Sequence, residues 1–430
     1  MTKLKLFLIG ISIGLIPIKI FAQNWQKLGN GASFKVVSLY ADTASNRLYI
    51  GKESAGTDNA INYWNGLQWD TLHSIGYPII AINKFHNEIY CSDGSLYKYN
   101  GTNWSFISNG GILNLFNQNE NNLYTCGWFD SIGGVAASNI AKWDGINWSA
   151  IDTTKWLGGA ISCSIIYNGE LYIGGNFVNY NGTIDRVARW DGIQWQPVGN
   201  GIRGGMGGVN CFEIYNNELY VGGRFNMVEN PGNAIAKWNG FNWNAVGGGM
   251  TSTNAQIFDL QTYNNELYAC GVFTIAGGQQ INSIAKWNGT DWCGLGFNAS
   301  NNGWVYSMAV LNNELYIGGA FDVINGDTMN YVAKWIGGNF TDVCGNTTSM
   351  QILDNKEELI ILPNPATETI KLLNLAPNES IVIIDLTGNI VIKTILNETQ
   401  TIDINLLAKG MYFIQTQSKV KIKTAKFIKQ

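Results

Sequence analysis

Apolar and polar residues alternate over short runs along most of the chain, the spacing of strands with one buried face rather than of helices. Cys211-Phe-Glu-Ile-Tyr215 and Ser283-Ile-Ala-Lys-Trp287 are typical, and Asn-Gly or Asp-Gly pairs between such runs favour tight hairpins. One phrase recurs at Glu170-Leu-Tyr-Ile-Gly-Gly-Asn-Phe177, Glu218-Leu-Tyr-Val-Gly-Gly-Arg-Phe225, Glu266-Leu-Tyr-Ala-Cys-Gly-Val-Phe273 and Glu314-Leu-Tyr-Ile-Gly-Gly-Ala-Phe321. Weaker copies at Leu48-Tyr49, Ile89-Tyr90 and Leu123-Tyr124 bring the total to seven.

A second phrase follows each copy: Trp64-Asn-Gly-Leu-Gln-Trp69, Tyr99-Asn-Gly-Thr-Asn-Trp104, Trp143-Asp-Gly-Ile-Asn-Trp148, Trp190-Asp-Gly-Ile-Gln-Trp195, Trp238-Asn-Gly-Phe-Asn-Trp243, Trp287-Asn-Gly-Thr-Asp-Trp292 and a worn Trp335-Ile-Gly-Gly-Asn-Phe340. From Tyr124 to Tyr316 the tyrosines lie 48 residues apart, a period suited to propeller blades. Four strands per repeat, repeated seven times, predict an all-β fold: a seven-bladed β-propeller over residues 23–345. Trp25-Gln-Lys-Leu-Gly29 matches a fourth strand with nothing before it, so it is expected to close the ring on the last blade, beside the Phe340 segment.

After Cys344 the pattern changes. Residues 346–357 read as a polar linker, and residues 358–430 replace the Trp-Gly phrases with β-branched runs such as Leu359-Ile-Ile-Leu362 and Ile381-Val-Ile-Ile384. This composition predicts a small immunoglobulin-like β-sandwich. At the other end, Lys3 and Lys5 precede an apolar stretch from Leu6 to Ile18 and a small Ala22 before Gln23. Residues 1–22 therefore read as a signal peptide cut between Ala22 and Gln23, too short in its apolar part to be a transmembrane anchor.

Two resemblances extend this reading. The repeat phrases of residues 24–345 resemble kelch-like propellers and the repeats of fungal cortical polarity-marker proteins, a likeness that implies a fold and leaves function open. Pro363-Asn364-Pro365-Ala366, Ile384-Asp385-Leu386-Thr387-Gly388, Lys409-Gly410-Met411-Tyr412-Phe413 and a final strand through Lys426 resemble the type A C-terminal sorting domain of the type IX secretion system of Bacteroidota. That resemblance implies two partners, the outer-membrane translocon and a sortase-like peptidase. It also implies a secreted or cell-surface destination, with the cargo released or anchored to lipopolysaccharide. Five Asp-Ser/Thr steps, with acceptors Thr43, Thr71, Ser131, Thr153 and Thr328, are similar to the short O-glycosylation motif of the same bacteria.

Composition narrows the chemistry. Residues 23–357 carry a net charge of −9 and residues 358–430 of +2, a balance that argues against a nucleic-acid partner. With only two histidines, His73 and His86, and no short paired cysteine spacing, neither a metal nor a cofactor is expected. Seven cysteines cannot all pair internally. Cys163 with Cys211, which serve equally as small core residues, and Cys293 with Cys344 are the pairs to test.

Function is expected at the loop-rich end of the ring, where the second-to-third and fourth-to-first connections lie. Thirteen of the 16 tryptophans occupy repeat positions, leaving Trp128, Trp156 and Trp304 as candidate platforms for a sugar ring or partner side chain. Arg203 and Arg224 lie toward the same end and suit an acidic ligand. The repeated Glu170, Glu218, Glu266 and Glu314 are expected to pair across strands with Arg189, Lys237, Lys286 and Lys334, so they are poor catalytic acids. The favoured expectation is a non-catalytic binding module for glycan or protein. The alternatives are a surface polysaccharide hydrolase or lyase using Asp130, Asp185, Glu229, Asp322 or Asp327, and a structural cell-surface protein.

Overall fold

The computed structural model describes residues 24–53, 60–75, 78–116, 121–153, 157–179, 181–205, 207–226, 233–300, 303–337, 343–344, 359–373, 375, 379–385, 390–416 and 424–430. The signal segment with Ala22 and Gln23, the 346–357 linker, Trp156, Glu229 and Gly388 lie outside these residues. The chain divides into two compact units, Met1–Thr347 and Thr348–Gln430.

Every named element of the larger unit is a strand. Antiparallel sheets of four strands occupy residues 36–74, 81–109, 112–150, 157–197 and 209–245; a five-stranded sheet follows over 256–294 with Val343–Cys344, and the last spans 305–335 with Trp25–Lys27. The first strands of successive sheets pack on one another, and Val305–Leu311 returns to Val36–Asp42, so the series closes on itself.

The repeat phrases are explained by hairpin chemistry. In each Trp-(Asn/Asp)-Gly step the side-chain oxygen accepts from two backbone N–H groups, as Asn239 Oδ1 does from Phe241 and Asn242 at 2.9 and 2.8 Å. The following glycine, Gly240, takes φ +95°, a conformation L side chains avoid. At five of the first-to-second turns both residues have positive φ, as at Asn216 and Asn217, the geometry of the tight hairpins that match strand twist. Inside the second strand Gly222 is required for a different reason: a Cβ there would come within 2.5 Å of Ile257 on the next sheet.

Neighbouring sheets are locked by aromatics. Trp238 and Trp243 pack 5.3 Å apart, and the Trp243 indole N–H donates to Val198 O at 3.0 Å across the sheet boundary. Trp69 does the same to Leu28 O and Trp292 to Val246 O. The expected ion pairs are present: Glu170–Arg189 at 2.6 Å, Glu218–Lys237 at 2.8 Å, Glu266–Lys286 at 2.9 Å and Glu314–Lys334 at 2.8 Å. Apart from the buried Lys286 the partners are at least partly exposed, so the exposed pairs contribute about 1 kcal/mol or less each.

Closure differs in one respect from expectation. Trp25–Lys27 pairs directly with Val332–Trp335 as the fourth strand of the last sheet, burying Trp25 against Trp335 and Phe297. Val343–Cys344 does not join that sheet. Instead it adds a fifth strand to the preceding sheet, pairing with Trp292–Gly294, and Cys344 is disulfide-bonded to Cys293. Phe340 of the worn phrase lies outside the described residues. Cys163 and Cys211 are free and buried, as are Cys91, Cys126 and Cys270.

The smaller unit consists of a three-stranded sheet (Ile360–Leu362, Thr369–Leu373, Thr401–Asp403) and a four-stranded one (Ile390–Ile395, Ser380–Ile384, Gly410–Thr416, Thr424–Lys429). Ile370, Leu372, Ile381, Ile383, Ile414 and Phe427 form one fully buried core between them.

Candidate functional site

The two ends of the closed series of sheets differ in chemistry. One end holds the two-residue turns and the ion pairs. It also presents single apolar tips, Leu67, Ile146, Ile193 and Phe241, which the sequence reading did not single out. The other end holds the longer connections and the candidate residues.

Trp128 follows the strand Leu123–Gly127 and is 76% exposed; its backbone N–H donates to Gly111 O, which fixes the segment while leaving the indole free of the core. Trp304 precedes Val305–Leu311 and is 40% exposed. Arg203 is exposed on the 199–208 connection. Arg224 is half-buried and donates to Asn254 Oδ1 at 2.9 Å. These residues share an end of the fold and stand on different sheets; the cleft lined by Arg224 contains none of the other three. The O-glycosylation candidates Thr43, Thr71, Ser131, Thr153 and Thr328 are all exposed.

The loop carboxylates are likewise dispersed. Asp130 belongs to the 112–150 sheet, Asp185 to the 157–197 sheet, and Asp322 and Asp327 to the 305–335 sheet. Asp322 Oδ1 accepts from Ser300 Oγ at 2.8 Å, and Asp327 is exposed in a two-strand hairpin. Asp185 is ion-paired to Arg186 at 3.3 Å; burial still holds its carboxyl above the ordinary range, against the pull of Arg186 and Arg203.

Three residues outside the expected set carry more structure. Arg186, at φ +63°, donates Nη1 to Ile202 O and Nε to Gly207 O, both at 2.6 Å, and so shapes the 199–208 connection. Glu213 and Asp259 lie in first strands. Glu213 Oε1 accepts from Thr262 N at 2.8 Å and Asp259 Oδ2 from Met308 N at 2.7 Å, each bridging to the next sheet. Desolvation raises both carboxyls, and it pushes Asp259 up to about 7, helped by the charge of Glu213. Asp259 occupies the place that Cys163 and Cys211 hold in earlier repeats, 48 residues apart, so a carboxylate in a thiol position was the available signal.

In the smaller unit, the resemblance residues are tied to the last strand. Asn364 Nδ2 donates to Lys426 O at 3.1 Å, and Ile428 N donates to Asn364 Oδ1 at 3.0 Å. Pro363 and Pro365 flank it at cis peptide bonds. Tyr412 stacks on Phe427 and donates to Ala408 O, Gly410 pairs with Lys429, and Asp385 follows the strand Ser380–Ile384.

Comparison with known proteins agrees at this end. Residues 360–430 match the family model of the secretion system C-terminal sorting domain. The chain therefore ends in a type IX sorting domain and is marked for export to the cell surface or medium. No curated protein matches the chain by sequence. Among solved structures, the extracellular domain described for the hybrid two-component system BT4673 from B. thetaiotaomicron is similar at 12% identity and TM-score 0.50, covering 94% of this chain and 59% of that one. PorZ of Porphyromonas gingivalis, described as an essential bacterial surface component of the type IX secretion system, aligns at 14% identity and TM-score 0.45, covering 92% and 59%. The Cps50 (Swd1) β-propeller domain of Myceliophteria thermophila aligns at 7% and TM-score 0.44, covering 73% and 99%. At these identities the likeness is one of fold, and the chain spans less than two thirds of the two bacterial structures. Among the described residues no helix is long and apolar enough to cross a membrane.

Proposed function

We propose that this protein is a type IX cargo whose larger unit, a kelch-like seven-bladed β-propeller, is a non-catalytic binding module for a glycan or a protein, and whose smaller unit, an immunoglobulin-like sandwich, is its sorting signal. The translocon and a sortase-like peptidase are its export partners. The single observation that carries the binding reading is the asymmetry of the two ends. One is sealed by minimal turns and paired charges, while the other offers longer connections with the exposed indoles of Trp128 and Trp304. Flat apolar rings open to solvent on a rigid scaffold suit a sugar face or a partner side chain.

A glycan array and a partner pull-down with the full chain, beside a polysaccharide turnover screen, test this reading. Capture that is lost in Trp128→Ala without any turnover is the expected result. Turnover abolished by replacing Asp130, Asp185, Asp322 or Asp327 would instead establish the hydrolase or lyase.

A further inference from the structure

A repeated latch ties the sheets at the loop-rich end. The residue at the start of the third strand has a left-handed backbone in five sheets: Asn139, Arg186, Ala234, Ser283 and Tyr331, with φ from 60° to 70°. In three of them the side chain donates to a glycine carbonyl within or just ahead of the next sheet's first strand: Asn139 to Gly159 O at 3.0 Å, Arg186 to Gly207 O at 2.6 Å and Ser283 to Gly303 O at 3.0 Å. Ala234 has only a methyl group to offer the corresponding Ala255. At this break a cleft of ≈ 280 Å³ opens, lined by Arg224, Asn226, Asn233, Ser252, Thr253 and Asn254 among others.

The lining is chemically selective. Arg224 is the charged residue among the described residues that line the cleft, and its stem is held against Gly207, where a Cβ would come within 2.6 Å of the Arg224 Cβ. Ser252 Oγ is buried without a hydrogen-bond partner, a cost of about 1–3 kcal/mol that a bound polar group would remove. The amides of Asn226 and Asn233 and the Thr253 hydroxyl supply donors and acceptors together, as vicinal hydroxyls require. The large apolar lining residues, Phe225 and Met250, are buried, so the cleft has no large apolar surface for a peptide side chain.

We infer that this cleft binds an acidic sugar, a uronate residue of a polysaccharide, with its carboxylate on Arg224 and its hydroxyls on the surrounding amides. The inference rests on the binding-module reading and assigns that module a charged subsite apart from Trp128 and Trp304. The planar guanidinium fork matches a carboxylate in two parallel bonds, which a neutral sugar cannot accept.

Titration calorimetry of the full chain with uronate tetramers (galacturonate, glucuronate and mannuronate), their methyl esters and neutral cellotetraose tests it. One uronate tetramer is expected to bind, with its methyl ester and cellotetraose weaker by at least about tenfold. Arg224→Gln should weaken binding by about tenfold to a hundredfold with an unchanged melting temperature, and Arg224→Lys should recover part of the loss. Failure of every uronate tetramer to bind, equal binding of acid and ester, or undiminished binding by Arg224→Gln overturns the inference. Capture of a neutral glycan or a protein in those cases leaves the binding module standing, whereas absence of all capture removes both.

Discussion

Asp259 allows a quantitative test of how the ring is held together. In the unfolded chain its carboxyl ionises near the ordinary 3.8; in the fold it ionises near 7. Between those values the folded state alone retains the proton, so stability falls as pH rises from about 4 to about 7 and is level above. The full difference corresponds to a ceiling of about 4 kcal/mol. Of this, roughly 2.7 kcal/mol remains above pH 5. Asp259 keeps partial access to solvent, and Glu213 titrates beside it; the expected change between pH 5 and pH 8.5 is therefore about 1–2 kcal/mol. Asp259→Asn keeps an acceptor for Met308 N and cannot ionise. Its urea stability should exceed that of the parent progressively across this interval. All 16 tryptophans lie between residues 25 and 335, so indole fluorescence follows the larger unit alone. Subtracting the variant's profile from the parent's removes the titration common to both. Parent and variant profiles that stay parallel within about 0.5 kcal/mol from pH 5 to pH 8.5 would refute the reasoning.

Further outcomes follow from particular contacts. Thiol titration of the denatured, unreduced protein should count the five free cysteines, Cys91, Cys126, Cys163, Cys211 and Cys270, and a count of seven would contradict the Cys293–Cys344 bond. Replacing both bonded cysteines by serine should destabilise the larger unit by about 4 kcal/mol on the loop-entropy model, for a separation of 51 residues. Trp25→Ala should cost about 3–5 kcal/mol and expose the edge of Val332–Trp335 to association, read by melting and light scattering; an unchanged melting temperature would remove the closure argument. Asn364→Ala cuts both side-chain bonds to the last strand, so the surface fraction of the full chain should fall in the producing bacterium while the indole-reported melting stays constant.

Much of the scaffold was legible because the repeat phrases encode backbone requirements. Asn239 and Gly240 are dictated by one turn, Gly222 by the approach of Ile257, and Trp243 by the carbonyl it must reach on the previous sheet. Each requirement recurs with the geometry, so the period of 48 exposes it. The outer strand at Val343–Cys344 was not legible as such. A two-residue strand has no periodicity, and its partner strand lies far back along the chain, with 51 residues between Cys293 and Cys344.

The functional end was harder to read for the converse reason. A repeat fixes what all sheets share, whereas selectivity must come from positions where one sheet departs from the rest. Ala234 breaks a latch that Asn139, Arg186 and Ser283 complete, and the cleft opens at that break. Asp259 replaces a thiol and becomes the carboxylate most strongly displaced toward neutrality among those with a resolved value. Exposed, unrepeated Trp128 and Trp304 were found by subtraction, but subtraction ranks side chains by type and cannot show that they stand on different sheets. Aligning the repeats position by position leaves Ala234 and Tyr331 outside the latch, and the cleft stands beside Ala234, whose deficiency is invisible to any search for reactive groups. In a closed ring of near-identical sheets, a missing hydrogen bond therefore locates a candidate site that a search for reactive side chains passes over.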